Sequence, residues 1–182
     1  MRIRLLGGVA VAACVVMVAA CTAAPQASPS ASVAAATPIL TPAVTRPPAA
    51  STAAPLYDKQ ADARADIAAA LKAARADGKR VLIDFGADWC PDCHVLSAYM
   101  DGPAGRSLIE PHFHVVCVDV GMWDHNVDVA AEYGNAISVG IPAVVVLDKN
   151  GKIIGSTADG SLASAAGMSE AQVLAILAGF TR

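Results

Sequence analysis

Cys90 and Cys93 stand three positions apart in Trp89-Cys90-Pro91-Asp92-Cys93, and that spacing admits two chemistries. Two thiols so placed at a helix start can close a small disulfide ring. The positive end of the helix lowers the pKa of the first thiol, and the thiolate is the reactive form. The same spacing is also half of a zinc knuckle. A zinc site would need two further ligands at a similar turn, and neither a second C-x-x-C nor an H-x3-5-H is present. Redox chemistry is therefore the expectation, and no metal ligands are assigned.

The elements around the pair are readable from pattern. Val81 to Phe85 is short and almost continuously apolar, which is the pattern of a buried central strand. Pro91 stands at the favoured first-turn position of a helix. That helix is expected to break or kink at Asp101-Gly102-Pro103, with a second piece over Ala104 to Ile109. An alanine-rich helix is expected from Asp58 to Asp77, with Ile67, Leu71 and Ala74 on one face and Gly78 ending it. Further strands are expected at Phe113–Val120, Ala143–Leu147 and Lys152–Ser156, and a short helix at Val127–Tyr133. Ser169 and Gln172 form a capping-box pattern before Val173, Ile176, Leu177 and Phe180, which keep the spacing of a core-facing helix. The order α-β-α-β-α-β-β-α makes an α/β domain.

Composition divides the 182-residue chain. Arg2 and Arg4 precede an apolar run from Leu5 to Ala20, the layout of a secretory signal over 1–20. Val18-Ala19-Ala20-Cys21 matches a lipoprotein signal and makes Cys21 the expected lipidation site; Val11-Ala12-Ala13-Cys14 presents the same letters but would leave a further apolar segment exposed. An uncleaved transmembrane helix over 3–20 is the alternative, only just long enough to span. Residues 21–57 hold one charge, Arg46, and seven of the eleven prolines. This Ala/Pro/Ser/Thr segment is expected to be a disordered linker. Charge returns at Asp58, so 58–182 is the expected folded domain, one domain's worth of chain. Loss of Arg2 and Arg4 takes the formal charge from −3 to −5. No basic patch points to nucleic acid. With Cys21 lipidated, Cys90 and Cys93 pair and Cys117 is left as a small buried hydrophobe. An exported chain with one conspicuous pair carries a working disulfide rather than a stapled scaffold.

With those elements in place the domain resembles the thioredoxin-fold family, and exported bacterial thioredoxin-like lipoproteins within it. The resemblance rests on Asp84-Phe85-Gly86-Ala87-Asp88-Trp89-Cys90-Pro91-Asp92-Cys93, on Gly140-Ile141-Pro142 before a strand, and on Pro142 to Lys152 with Met168. It covers roughly 58–180. Pro-Asp stands between the cysteines where cytoplasmic thioredoxins have Gly-Pro, and the first strand typical of thioredoxin is missing. The resemblance implies a central four-stranded mixed sheet flanked by helices, and thiol-disulfide exchange. It also implies that Pro142 is cis and, with Ile141 and Trp89, forms a surface where a substrate chain pairs beside the active sulfur.

Roles follow residue by residue. Cys90 is the expected nucleophile and Cys93 the resolving thiol. Asp84 matches the family's buried aspartate; burial should raise its pKa towards neutrality and suit it to accept the Cys93 proton, the alternative being a strand-end acid that reaches solvent or a salt bridge. Trp89 covers the disulfide or is simply a core aromatic. Pro91 limits the ring's flexibility, and Asp92 places a charge beside Cys90. Met122, Trp123 and Asp124 border the site or only pack. His94 is a polar helix residue; His112 and His114 share a strand face and are a weak metal candidate. No cofactor motif is present, so electrons come from a membrane or extracytoplasmic donor. The expected substrates are disulfide-containing exported proteins, and the domain is expected to act as a monomer in the cell envelope or periplasm, membrane-bound through Cys21. The competing function is a copper- or other metal-delivery module on the same fold.

Overall fold

The apolar run that holds Asp84 forms β1 (Arg80–Gly86). Its residues are buried from Val81 onward, because strands flank both of its edges and helices cover both faces of the sheet. β2 (Phe113–Asp119) lies parallel on one side, and β3 (Ala143–Leu147) antiparallel on the other. β4 (Ile153–Ser156) pairs antiparallel with β3 and closes the order β2-β1-β3-β4. These elements come from a computed structural model that describes residues 55–182. The expected signal, the Cys21 lipidation site and the linker as far as residue 54 lie outside the described residues.

Alternation along β1 divides the core. Val81, Ile83 and Phe85 face α1 (Ala63–Asp77) and α4 (Val127–Glu132), where Ile67, Ala74, Val129 and Ala130 complete one apolar cluster. Leu82 faces the opposite way, with Val144 and Val146 of β3. Against it pack α2 (Pro91–Asp101), α3 (Pro103–Ile109) and α5 (Glu170–Ala178), through Leu96, Met100, Ile109, Val173 and Leu177. Cutting one of these fully buried leucines to alanine costs about 2–5 kcal/mol. Asp84 and Gly86 share the face of Leu82, so β1 places a carboxylate on the side that α2 covers.

Most boundaries follow the sequence pattern. Gly102 and Pro103 separate α2 from α3, as the Asp-Gly-Pro break suggested. Ser169 and Gln172 form the capping box that starts α5. The first helix differs: it starts at Ala63, not Asp58. Asp62 is the working N-cap, accepting the Ala65 N–H, whereas Asp58 accepts the Gln60 N–H and closes a turn. At its other end Gly78 adopts φ 82° and takes the Ala74 carbonyl, a left-handed cap that glycine adopts at little cost. No strand precedes α1 among the described residues, so β2 forms one border of the sheet.

Tyr57, which composition assigns to the linker, belongs to the folded body. Its side chain is fully buried, its backbone N–H donates to Asp88 Oδ1 (3.0 Å), and its hydroxyl reaches Asp84. The boundary drawn at the first charge therefore falls inside the domain.

Candidate functional site

β1 ends at Gly86, the chain turns through Ala87–Trp89, and α2 begins at Pro91. That turn sets Cys90 at the N-cap of α2 and Cys93 in its first turn. The two form a disulfide with Cα atoms 5.3 Å apart. The Cys93 N–H donates to Cys90 Sγ at 3.1 Å, so the first sulfur takes the place an N-cap oxygen usually holds. When the ring opens, the same N–H and the positive helix end face the thiolate. Both sulfurs are largely shut from water, Cys93 completely.

Opposite Cys90 lies the loop before β3. The Ile141–Pro142 peptide bond is cis, and the Ile141 carbonyl oxygen lies 3.8 Å from Cys90 Sγ. Trp89, half exposed, donates its indole N–H to the Gly121 carbonyl (2.7 Å) and sits 6.4 Å from the Trp123 ring. Met122 and Trp123 are exposed beside it. Trp123 holds φ 69°, the left-handed region, and Asp124 Oδ1 accepts the Met122 N–H. Met122 and Trp123 thus border the site with Trp89, while Asp124 serves the loop's own turn. His94 donates its ring N–H to the Asp88 carbonyl (2.6 Å) and so braces the turn that leads to Cys90.

Asp84 forms the buried counterpart. Its Oδ2 accepts the Tyr57 hydroxyl at 2.8 Å, and its Oδ1 has no partner. Burial pushes its carboxyl up to about 7, while the Tyr57 hydrogen bond works in the other direction. The acid therefore exchanges a proton near neutral pH. Tyr57 is held well above the usual phenol range, by burial first and then by Asp84. Cys117 lies opposite Asp84 in the β1–β2 register. Burial, and after it the Asp84 charge, pushes the Cys117 thiol up to about 12. It stays a thiol at neutral pH and does not compete as a nucleophile.

Asp92 lies inside the ring, in the first turn of α2. Its Oδ1 accepts the Ala166 N–H at 2.8 Å and ties the ring to the short 3-10 helix Ala165–Gly167. Sequence pattern gave no sign of that segment. His114 donates to Asp77 Oδ2 (2.9 Å), and the His112 ring meets Phe113 edge-on. Among the described residues no three His, Cys, Asp or Glu side chains converge as a metal site.

A family model described as thioredoxin-like matches residues 62–149. A disulphide isomerase from Xylella fastidiosa Temecula1 is 39% identical, with a TM-score of 0.68, over 70% of this chain and 97% of that one. The chain belongs to the thioredoxin-like family. The C-terminal domain of Neisseria meningitidis DsbD, in its oxidised form, is 30% identical over 53% of this chain and 82% of its own, with a TM-score of 0.42. A thioredoxin from Halobacterium salinarum is 24% identical over 62% of this chain and 83% of its own, also at 0.42. A comparison with curated proteins gave no match. This thioredoxin-like protein is a thiol-disulfide oxidoreductase, with the Cys90–Cys93 disulfide at the start of α2.

Proposed function

We propose that the protein is a membrane-tethered, extracytoplasmic reductant of disulfides in exported proteins. The observation that carries the chemistry is the capped Cys90 sulfur beside the Ile141 carbonyl, disulfide-bonded to the fully buried Cys93. In the reduced protein the Cys90 thiolate attacks one sulfur of a substrate disulfide. That S–S bond breaks, its other sulfur leaves as a thiolate, and a mixed disulfide forms. Cys93 then gives its proton to Asp84 and attacks Cys90 Sγ. The second substrate sulfur leaves, and the ring closes. Two electrons pass from the dithiol to the substrate, and an external dithiol donor restores them.

Supporting a substrate strand at the mouth are the backbone at Ile141–Pro142 and the apolar border of Trp89, Met122 and Trp123. Export and anchoring rest on the Arg2/Arg4 signal pattern and Cys21. No described helix is long and apolar enough to cross a membrane. Likeness to a disulphide isomerase favours a second reading, isomerisation, which shares the first attack but lets a substrate thiol resolve the mixed disulfide.

One variant tests both. Cys93→Ala removes the resolving thiol, so exported proteins should accumulate as mixed disulfides on Cys90 of the full-length chain in cells. Finding them on extracytoplasmic proteins supports the proposal; an empty Cys90, or partners confined to the cytoplasm, overturns it. A reductase loses turnover in this variant, whereas an isomerase keeps part of it.

A further inference from the structure

Tyr57 touches the site through three features that do not depend on one another. Its hydroxyl donates to Asp84 Oδ2 at 2.8 Å. Its backbone N–H donates to Asp88 Oδ1, two residues before Cys90. Its ring fills the space above Gly86, where any Cβ would overlap the ring carbon Cζ and the hydroxyl. Gly86 shares a strand face with Asp84, so the missing side chain at one position admits the partner of the other. Nothing in the sequence around Tyr57 resembles an active-site motif.

We propose that Tyr57 is a positioning residue for thiol exchange: it holds Asp84 by Oδ2 and leaves Oδ1 as the single open proton site. The proposal rests on the reading of Asp84 as acceptor of the Cys93 proton. A buried carboxylate without a donor is driven strongly towards its neutral form. One hydroxyl offsets part of that penalty and fixes the plane of the carboxyl group. When Cys93 gives up its proton the S–H bond breaks, the electron pair stays on sulfur, and an O–H bond forms at Asp84 Oδ1. Tyr57 keeps its own proton throughout, because its phenol is shifted away from neutrality. Besides Asp84, the titratable groups that face Tyr57 are Cys117 from β2 and Asp88 from the turn, and Cys93 of α2 belongs to the same buried cluster; β3 presents Val144 opposite Asp84.

Tyr57→Phe in the full-length chain removes the hydroxyl and keeps the ring over Gly86. Two quantities are measured against pH: the carboxyl carbon shift of Asp84 by NMR in the oxidised protein, and the rate at which a preformed mixed disulfide on Cys90 resolves. Both midpoints should rise by about one pH unit in Tyr57→Phe, slowing resolution near pH 7 several-fold, with the first attack by Cys90 unchanged. Gly86→Ala, which displaces the ring, should move both the same way and serves where Tyr57→Phe does not fold. An Asp84 midpoint equal to wild type in these variants overturns the proposal directly. If instead the carboxyl midpoint moves, but the resolution profile matches wild type there and in Asp84→Asn, then the reading of Asp84 as proton acceptor fails and takes the proposal with it.

Discussion

The two sulfurs of one disulfide lie in opposite surroundings. Around Cys90 the chain offers backbone and exposed rings: a helix N–H, the Ile141 carbonyl, Trp89 and Trp123. Cys93 is fully buried, on the helix that covers Asp84, whose one partner is Tyr57. On the proposed mechanism the mouth acts through the helix end, the Asp92 side chain and shape on the Cys90 thiolate. The floor holds a buried carboxyl group whose one hydrogen-bond partner is the Tyr57 hydroxyl. On the proposed mechanism the two halves of the exchange fall to different physics: attack follows the field at the helix end, and resolution the charge of one acid.

The sharpest way to break this comparison is at the mouth. Cys90→Ser should abolish reduction of a protein disulfide by the dithiothreitol-driven enzyme, at every pH. Retention of most turnover would show that Cys93 can attack alone and that the two sites are not distinct. At the floor the expected effect is on stability. Folded Asp84 titrates at about 7 against 3.8 for the unfolded chain. Between those values the unfolded chain has released a proton that the folded protein retains. Stability of the oxidised wild type should therefore fall as pH rises from about 4 to about 7 and level off beyond, by a few kcal/mol. Asp84→Asn should lack this fall; urea midpoints at pH 4 and pH 8 read it, and equal slopes in both proteins would place the carboxyl in contact with water. The smallest effect belongs between the two sulfurs. Asp92→Asn keeps an oxygen for the Ala166 N–H but removes the charge beside Cys90. The Cys90 thiolate should become easier to form, and the potential against glutathione should rise by about 10–30 mV. An unchanged potential would mean that the helix end alone sets the field at the mouth.

Much of this was legible in the sequence, and the gaps have common causes. The continuous apolar run of β1, the proline at the start of α2 and the capping box of α5 are local signals, and each element formed where its residues indicated. Contacts between distant residues left no local trace. The Asp92–Ala166 hydrogen bond joins residues 74 apart, and Ala165–Gly167 is a turn of small residues with no apolar period. Asp58 and Asp62 both look like helix caps, and only the fold decides which backbone N–H each one meets. Tyr57 carries no local signal of its own, because it stands just before the first charge of the domain, Asp58. One question could have found it: a carboxylate expected in a buried strand needs a donor, and Leu56-Tyr57 is the nearest chain upstream that offers a hydroxyl on an apolar side chain.

The strap at Tyr57 also determines where mechanical load enters the molecule. A pull arriving at residue 55 would meet Leu56, packed against the core, and then the hydrogen bonds of Tyr57 to Asp88 and Asp84. Tension is delivered to the catalytic end and not to the far side of the sheet. On the proposed mechanism, tension that freed Tyr57 would take the hydroxyl partner from Asp84 and slow the resolving half of the chemistry.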